Sequence, residues 1–180
     1  MRWFVVAAFL VFARNSLAID LRGVELGDPC GKAEGAESER GFKPKFDLST
    51  MRKHGIYIFE GDTADGQNTT VLYGCDSTHA HVEHYSVAVW RGDLAVAQEI
   101  YVNTKFNMAQ RLGTPSFDSD LLTGAAAERY HALAPGISLL RNSSWNGIVD
   151  EQIQVSLRHN EIRRGWEVVT SVATTKHPVT

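Results

Sequence analysis

Residues 71–90 decide the fold, and they read VLYGCDSTHAHVEHYSVAVW. Two apolar segments, 71–74 and 85–90, have the β-branched and aromatic composition of strands. The connection between them contains Cys75, one of two cysteines in the chain, and three of the seven histidines. A structural cross-link and the best candidate for chemistry therefore share one segment.

Residues 1–18 follow the plan of a secretory signal peptide. Arg2 supplies the positive start, residues 3–12 form an apolar run, and residues 16–18 form a small-residue cleavage site. The run has about half of the roughly 20 residues that a membrane-spanning helix needs. Cleavage is expected after Ala18, without stable membrane insertion, and the protein is expected to be secreted or periplasmic.

The formal net charge of −3 gives no electrostatic field that would favour binding to nucleic acid or to an anionic membrane, so no nucleic-acid partner is expected. Basic residues are scattered, and the densest pair, Arg163 and Arg164, lies beside a turn at Gly165. The mature chain has the size of one domain, within the usual range of roughly 50 to 250 residues. We expect a single domain at residues 19–173 and a flexible tail at 174–180.

Cys30 and Cys75 predict a disulfide bond, because export compartments are oxidising. The bond would close a loop of about 45 residues, which the chain-entropy model equates with roughly 4 kcal/mol of stabilisation. The chain has no Cys-x-x-Cys motif, so a structural role is favoured over a redox-active one.

In the first half, Asp28 followed by Pro29 predicts the start of a helix over residues 29–39. Residues 42–53 are interpreted as a polar connection. Alternation then predicts strands at 56–60 and 69–75, joined by an acidic turn at 61–66.

In the second half, Gly92 lies between apolar runs at 85–90 and 94–102, which predicts a β-hairpin. Residues 91–93 also read Arg-Gly-Asp, a cell-adhesion sequence, but the turn interpretation is favoured. A short helix is expected at 105–112, and one helix over 94–112 is the rival. A further helix is expected at 121–134, with closing strands at 137–140, 148–157 and 166–173.

This order predicts an α+β fold in which helices pack on an antiparallel β-meander. It divides into two tandem helix-plus-meander units, 19–102 and 103–173. Leu26 and Gly27 border the first helix, and Leu112 and Gly113 border the second, each pair followed two residues later by proline. In element order and in this short motif, the chain resembles SmpA/OmlA-like domains and the tandem-repeat β-lactamase inhibitor proteins.

This resemblance implies an exported, non-catalytic protein that binds an unidentified partner protein in the export compartment. The chain differs from SmpA/OmlA domains at the expected cleavage point, where Ile19 stands in place of the cysteine to which lipid is attached. The leading hypothesis is therefore a protein-binding or inhibitor-like protein without a catalytic site or cofactor.

The competing hypothesis is a zinc-dependent hydrolase. His79, His81, Glu83 and His84 resemble the His-x-His-x-Asp-His motif of the metallo-β-lactamase superfamily, with Glu83 in the place of aspartate. The resemblance implies that these residues hold zinc and that the bound water becomes a nucleophile. Against it, residues 85–90 continue as a strand, and in an extended chain His84 points away from the face that His79 and His81 share.

Two tripeptides fit the N-glycosylation rule, Asn68-Thr69-Thr70 and Asn142-Ser143-Ser144. Both are acceptors only in a eukaryotic secretory pathway.

Overall fold

The computed structural model describes residues 22–64, 66–126, 139–146 and 151–175. The expected signal peptide, residues 127–134 of the expected helix at 121–134, and most of the expected tail lie outside these residues. The described helices and strands are α1 (Gly31–Glu39), β1 (Lys43–Pro44), α2 (Leu48–His54), β2 (Ile56–Asp62), β3 (Asn68–Cys75), β4 (Val82–Arg91), α3 (Leu94–Leu112), β5 (Phe117–Asp118), β6 (Leu139–Asn146), β7 (Glu151–Asn160) and β8 (Gly165–Thr174). A 3₁₀ turn at Ser119–Leu121 follows β5.

The strands form one eight-stranded sheet in the order β1-β2-β3-β4-β8-β7-β6-β5, and every neighbouring pair is antiparallel. The sheet has two halves, β1–β4 and β5–β8, and the last strand of each half lies at the centre of the sheet. These two strands, β4 and β8, are neighbours, with Tyr85 paired with Val172 and Val87 with Thr170. The α+β fold with helices and an antiparallel meander is confirmed.

Each half of the sheet has its own hydrophobic core on the same face. In the first half, α1 and α2 bury Ala33 and Met51 against alternate side chains of β2, β3 and β4, which are Tyr57, Phe59, Val71, Tyr73 and Tyr85. In the second half, α3 packs against Trp145, Ile153, Val155, Leu157, Val168 and Val172. The helices that the structure describes therefore leave the opposite face of the sheet free of helical cover.

The expected hairpin at residues 91–93 and the expected strand at 94–102 are wrong, because one helix, α3, runs from Leu94 to Leu112. The side chain of Asp93 caps this helix by accepting a hydrogen bond from the Val96 backbone N–H at 3.0 Å. Ala97, Tyr101 and Met108 then fall on one buried side of the helix. The expected boundary between units, at 102/103, lies inside α3.

Two expectations about the first half are also corrected. Cys30 occupies the cap position of α1, whereas the Asp28 carboxylate accepts from the Glu25 N–H and from Lys32. The expected polar connection at 42–53 contains β1 and α2, and Asp47 caps α2 by accepting from Thr50 N–H.

The sixth strand is longer than the sequence predicts, since β6 extends to Asn146 rather than ending at residue 140. Its polar middle is accommodated because Ser143, which is fully buried, donates to Asp118 at 3.0 Å and lies 2.8 Å from the hydroxyl of Tyr101. The strands expected at 148–157 and 166–173 correspond to β7 and β8 with shifted ends.

The expected disulfide between Cys30 and Cys75 is confirmed, with the two Cα atoms 6.3 Å apart. It joins the residue before α1 to the last residue of β3. The covalent link therefore fastens the first helix to the sheet beside the connection that carries the histidines.

Candidate functional site

The histidine cluster is not gathered into one site. Only His84 lies in a strand, β4, where it is half-buried. His81 is exposed and its ring lies 3.3 Å from Asp76 Oδ2. His79 has a positive φ of 58° and its ring packs against Gly55, where a Cβ atom would lie 2.6 Å from His79 Cδ2.

The connection that holds His79 and His81 is organised by Asp76, which the sequence analysis missed. Its carboxylate accepts from the Thr78 backbone and hydroxyl and from the Ala80 backbone, at 2.7 to 3.1 Å. These bonds, led by that from Ala80, lower the pKa of Asp76 well below its usual range. Aspartate followed by serine and threonine between two strands is the signal that predicts such a turn.

Among the described residues, no three His, Cys, Asp or Glu side chains form a group that could hold a metal ion. Glu83 lies in β4 beside His84. Two other histidines of the chain, His131 and His177, lie outside the described residues. The proposed zinc ligands His79, His81, Glu83 and His84 therefore gain no support from the geometry.

The helix-free face of the sheet, called here the open face, has a recess along its middle. The central strands carry small side chains there, Ser86 and Ala88 on β4 and Ser171 and Ala173 on β8. Ser86 pairs directly with Ser171, whereas Ala88 pairs with Val169 and Ala173 with His84. Longer side chains flank them, including Leu72 on β3 and Gln152, Gln154 and Arg158 on β7. We call this recess, with Ser86, Ala88, Ser171 and Ala173 as its floor, the central trough.

One end of the central trough, the arginine end, is lined by charged side chains around a hollow of about 160 Å³. Arg163 donates to Glu60 at 2.8 Å and to Asn68 at 2.9 Å, so it joins the β7–β8 hairpin to β2 and β3. Lys45 donates to the same Glu60 oxygen at 2.9 Å. The charged groups at this end are thus held in place by one another.

A second pair at the arginine end lies deeper in the sheet. Glu167 is only 6% exposed and accepts from Arg158 at 3.1 Å and from Asn160 at 2.6 Å. Trp90 packs beside this group against Gly165, where a Cβ would lie 2.7 Å from the indole nitrogen. A side chain at position 165 would therefore displace Trp90 or the backbone carbonyl of Arg91.

The other end, the neutral end, surrounds a hollow of about 340 Å³. Its lining groups are hydroxyl, amide and imidazole side chains and small residues, namely His84, Gln152, Gln154, Ser171, Ala173, Thr174 and Thr175. Burial lowers the pKa of His84, so its imidazole is neutral at physiological pH. This end offers hydrogen-bond donors and acceptors without formal charge.

Two further features present apolar groups to solvent. Ile162, at the tip of the β7–β8 hairpin, is 96% exposed, and its neighbour Arg163 is tied to the sheet. On the outward side of α3, Val102 and Phe106 are 46% and 61% exposed. Single exposed apolar residues are common on protein surfaces and do not by themselves indicate a binding site. Ile162 is considered further because it lies on the hairpin beside the trough.

The two edges of the sheet are covered in part by very short strands. β1, which contains Pro44, pairs with β2, and β5 pairs with β6 over two residues. Short edge strands and proline are the usual means by which sheets avoid pairing with another chain. These short strands therefore limit the addition of a strand from another chain at either edge.

Comparison of the chain with protein-family models, with curated proteins and with solved structures found no match. The likeness to SmpA/OmlA-like domains and β-lactamase inhibitor proteins thus stays a prediction. Among the residues that the structure describes, no helix combines the length and the apolar character needed to cross a bilayer.

Proposed function

We propose that this chain is an exported protein that holds a partner protein in the central trough of its open face and carries out no reaction of its own. The observation that carries the proposal is the row of small side chains at the sheet centre, between charged groups at one end and neutral polar groups at the other. The floor leaves room for side chains of another polypeptide to enter.

The polar character of the trough favours a protein over a small apolar ligand. Ligand pockets are mostly apolar cavities that enclose 70–90% of a drug-sized molecule. Here the side chains around the floor are mostly amides, hydroxyls, an imidazole and charged groups, and Leu72 and Val169 are the large apolar members. Protein interfaces typically combine many such hydrogen-bonding groups with bridging waters.

Preorganisation of the arginine end supports the same proposal. The Arg163 side chain bridges two hairpins through its bonds to Glu60 and Asn68, and its backbone N–H donates to Asn160 Oδ1 within its own hairpin at 2.8 Å. Groups that are ordered before binding lose less conformational entropy when the complex forms. The hairpin tip carrying Ile162 is therefore presented in a fixed position beside the trough.

The disulfide between Cys30 and Cys75 is consistent with an oxidising compartment. Secretion or periplasmic location, which the signal-like residues 1–18 predict, places the partner in the same compartment. No observation in the described residues favours the zinc hydrolase, so it is not proposed as a second function.

Site-specific photo-crosslinking tests the proposal. A photoreactive amino acid replaces Gln154, on the open face, or Gln110, an exposed residue of α3, and the protein is irradiated in fluid from its native compartment. We expect one crosslinked partner from position 154 and none from position 110. A crosslink from position 110 alone, or none from position 154, would reject the open face as the binding surface.

A further inference from the structure

The two tripeptides that fit the N-glycosylation rule lie in contrasting places in the fold. Asn68 is the first residue of β3, directly after the β2–β3 turn, and it is exposed. Asn142 lies within β6 and is half-buried. We propose that the secreted protein carries an N-linked oligosaccharide on Asn68 and none on Asn142.

The chemistry requires the side-chain amide nitrogen of Asn68 and a lipid-pyrophosphate-linked oligosaccharide as donor. Nδ2 attacks C1 of the first sugar, a new N–C1 bond forms, and the C1–O bond to the pyrophosphate breaks. One proton leaves Nδ2, and the lipid pyrophosphate departs with the bonding electron pair. The asparagine retains one N–H and its carbonyl oxygen, Oδ1.

The contacts of Asn68 are compatible with this product. Its Oδ1 accepts from Arg163 Nη1 at 2.9 Å, so the carbonyl side of the amide is turned towards the protein. The Nδ2 atom, which makes no hydrogen bond to any described residue, is the atom that the sugar takes. The modified side chain therefore keeps its bond to Arg163, and the bulky oligosaccharide extends from an exposed hairpin end.

The surroundings of Asn142 are not compatible with a sugar. Its Oδ1, like that of Asn68, accepts a hydrogen bond, here from Gln154 at 2.8 Å, so burial and not this contact separates the two asparagines. It pairs across the sheet with Ser156, which is only 8% exposed, and Ser143 beside it is fully buried. A chain modified at Asn142 would have to place the sugar against the sheet surface, and such a chain is not expected to reach the folded, secreted state.

The test is expression of the full chain, residues 1–18 included, in cultured animal cells that secrete proteins. Cell-associated and secreted protein are both treated with peptide N-glycosidase and weighed by mass spectrometry. We expect release of one oligosaccharide from the secreted wild-type protein and conversion of the side chain at position 68 to aspartate. Asn68→Gln and Thr70→Ala should lose the oligosaccharide, whereas Thr70→Ser should keep it.

Asn142→Gln and Ser144→Ala are the matched controls, and both should retain the full mass shift. An intact Cys30–Cys75 bond, seen as a protein without free thiols, verifies that each secreted variant has folded. The inference is overturned if the wild-type chain carries no oligosaccharide in either fraction, or if the secreted protein keeps the mass shift after Asn68→Gln.

Discussion

Arg22 and Glu37 form a bidentate ion pair inside the first half of the protein, with N–O distances of 2.8 and 2.7 Å. Glu37 is fully buried on α1, and the hydroxyl of Tyr73 on β3 donates to the same carboxylate at 2.6 Å. Arg22 also lies over the ring of Phe42, 4.4 Å from its centre. The segment before the first helix is thus fixed to both the helix and the sheet.

Replacing Glu37 with glutamine should strongly destabilise the fold. Loss of one partner from a buried ion pair leaves an uncompensated charge on Arg22, at a cost of about 3–5 kcal/mol. Glu34→Gln on the same helix is the control and should cost much less, because the side chain of its partner Arg52 is 58% exposed and solvent screens the pair. Urea unfolding of both variants measures the difference in their free energies of unfolding. Equal losses would contradict the conclusion that the buried pair of Arg22 and Glu37 stabilises the fold more than the exposed pair does.

Removing the disulfide should lower the free energy of unfolding by about 4 kcal/mol, because the loop it closes constrains the unfolded chain. Cys30 and Cys75 are 45 residues apart, which sets the length of this loop. The measurement compares the thermal midpoint of the wild-type protein with that of a Cys30→Ala, Cys75→Ala double variant. An unchanged midpoint would show that the link makes no contribution.

Asp93→Ala should cost about 1 kcal/mol by removing the cap of α3. The lost bond is that from Val96 N–H to Asp93 Oδ1, at 3.0 Å. Asp62→Ala, at the exposed end of β2, is the control and should stay within about 0.5 kcal/mol of the wild-type protein. Far-ultraviolet circular dichroism during denaturation measures the free energy of unfolding of both variants. An Asp93→Ala variant as stable as the wild-type protein would argue against the capping role.

The protein should lose stability on mild acidification through His84. Burial lowers its pKa in the folded state below the ordinary value of 6.5, so between the two pKa values the unfolded chain binds more protons. The contribution is complete above the unfolded pKa and is lost as the pH falls through the folded pKa.

Unfolding free energies measured between pH 8 and about pH 5 should therefore fall less steeply for His84→Gln than for the wild-type protein. Gln152→Ala, which changes a side chain without an ionisable group in the same hollow, is the control and should leave the slope unchanged. Identical slopes for all three proteins would mean that His84 does not titrate differently in the two states.

Alternation of side chains made most of the sheet predictable. Tyr57 and Phe59, like Val71 and Tyr73, occupy alternate positions, and all four are buried on the helical face. The strands at 69–75 and 85–90 are predictable for the same reason. Local sequence was sufficient there because the buried face and the local propensity agree.

Local sequence failed where distant contacts decide the structure. Tyr101 and Val102 favour a strand by propensity, yet burial of one side of α3 makes the segment helical. The polar middle of β6 reads as a loop until Tyr101 and Asp118 are placed beside Ser143. Glu37 likewise reads as a solvated helix residue, because Tyr73 lies 36 positions away in the chain.

The histidines gave the sharpest local motif and the least coherent site. Spacing alone cannot fix whether a loop gathers three side chains, and here Asp76 holds the loop by hydrogen bonds to Thr78 and Ala80. The central trough had no sequence motif, because it arises when the small residues of β4 and β8 become neighbours across the sheet.

The central claim is tested most directly by a variant in which a large side chain fills the central trough. The measured quantity is the affinity of this variant for the partner that photo-crosslinking recovers. Ser171→Trp places a large ring on the trough floor, and Ser49→Trp, on the exposed side of α2, is the matched control. Thermal unfolding of each variant first establishes that it is folded. Isothermal titration calorimetry should then show at least a ~100-fold weaker Kd for Ser171→Trp, a loss of about 2.7 kcal/mol, and no change for Ser49→Trp. Wild-type affinity in a folded Ser171→Trp variant would contradict the account.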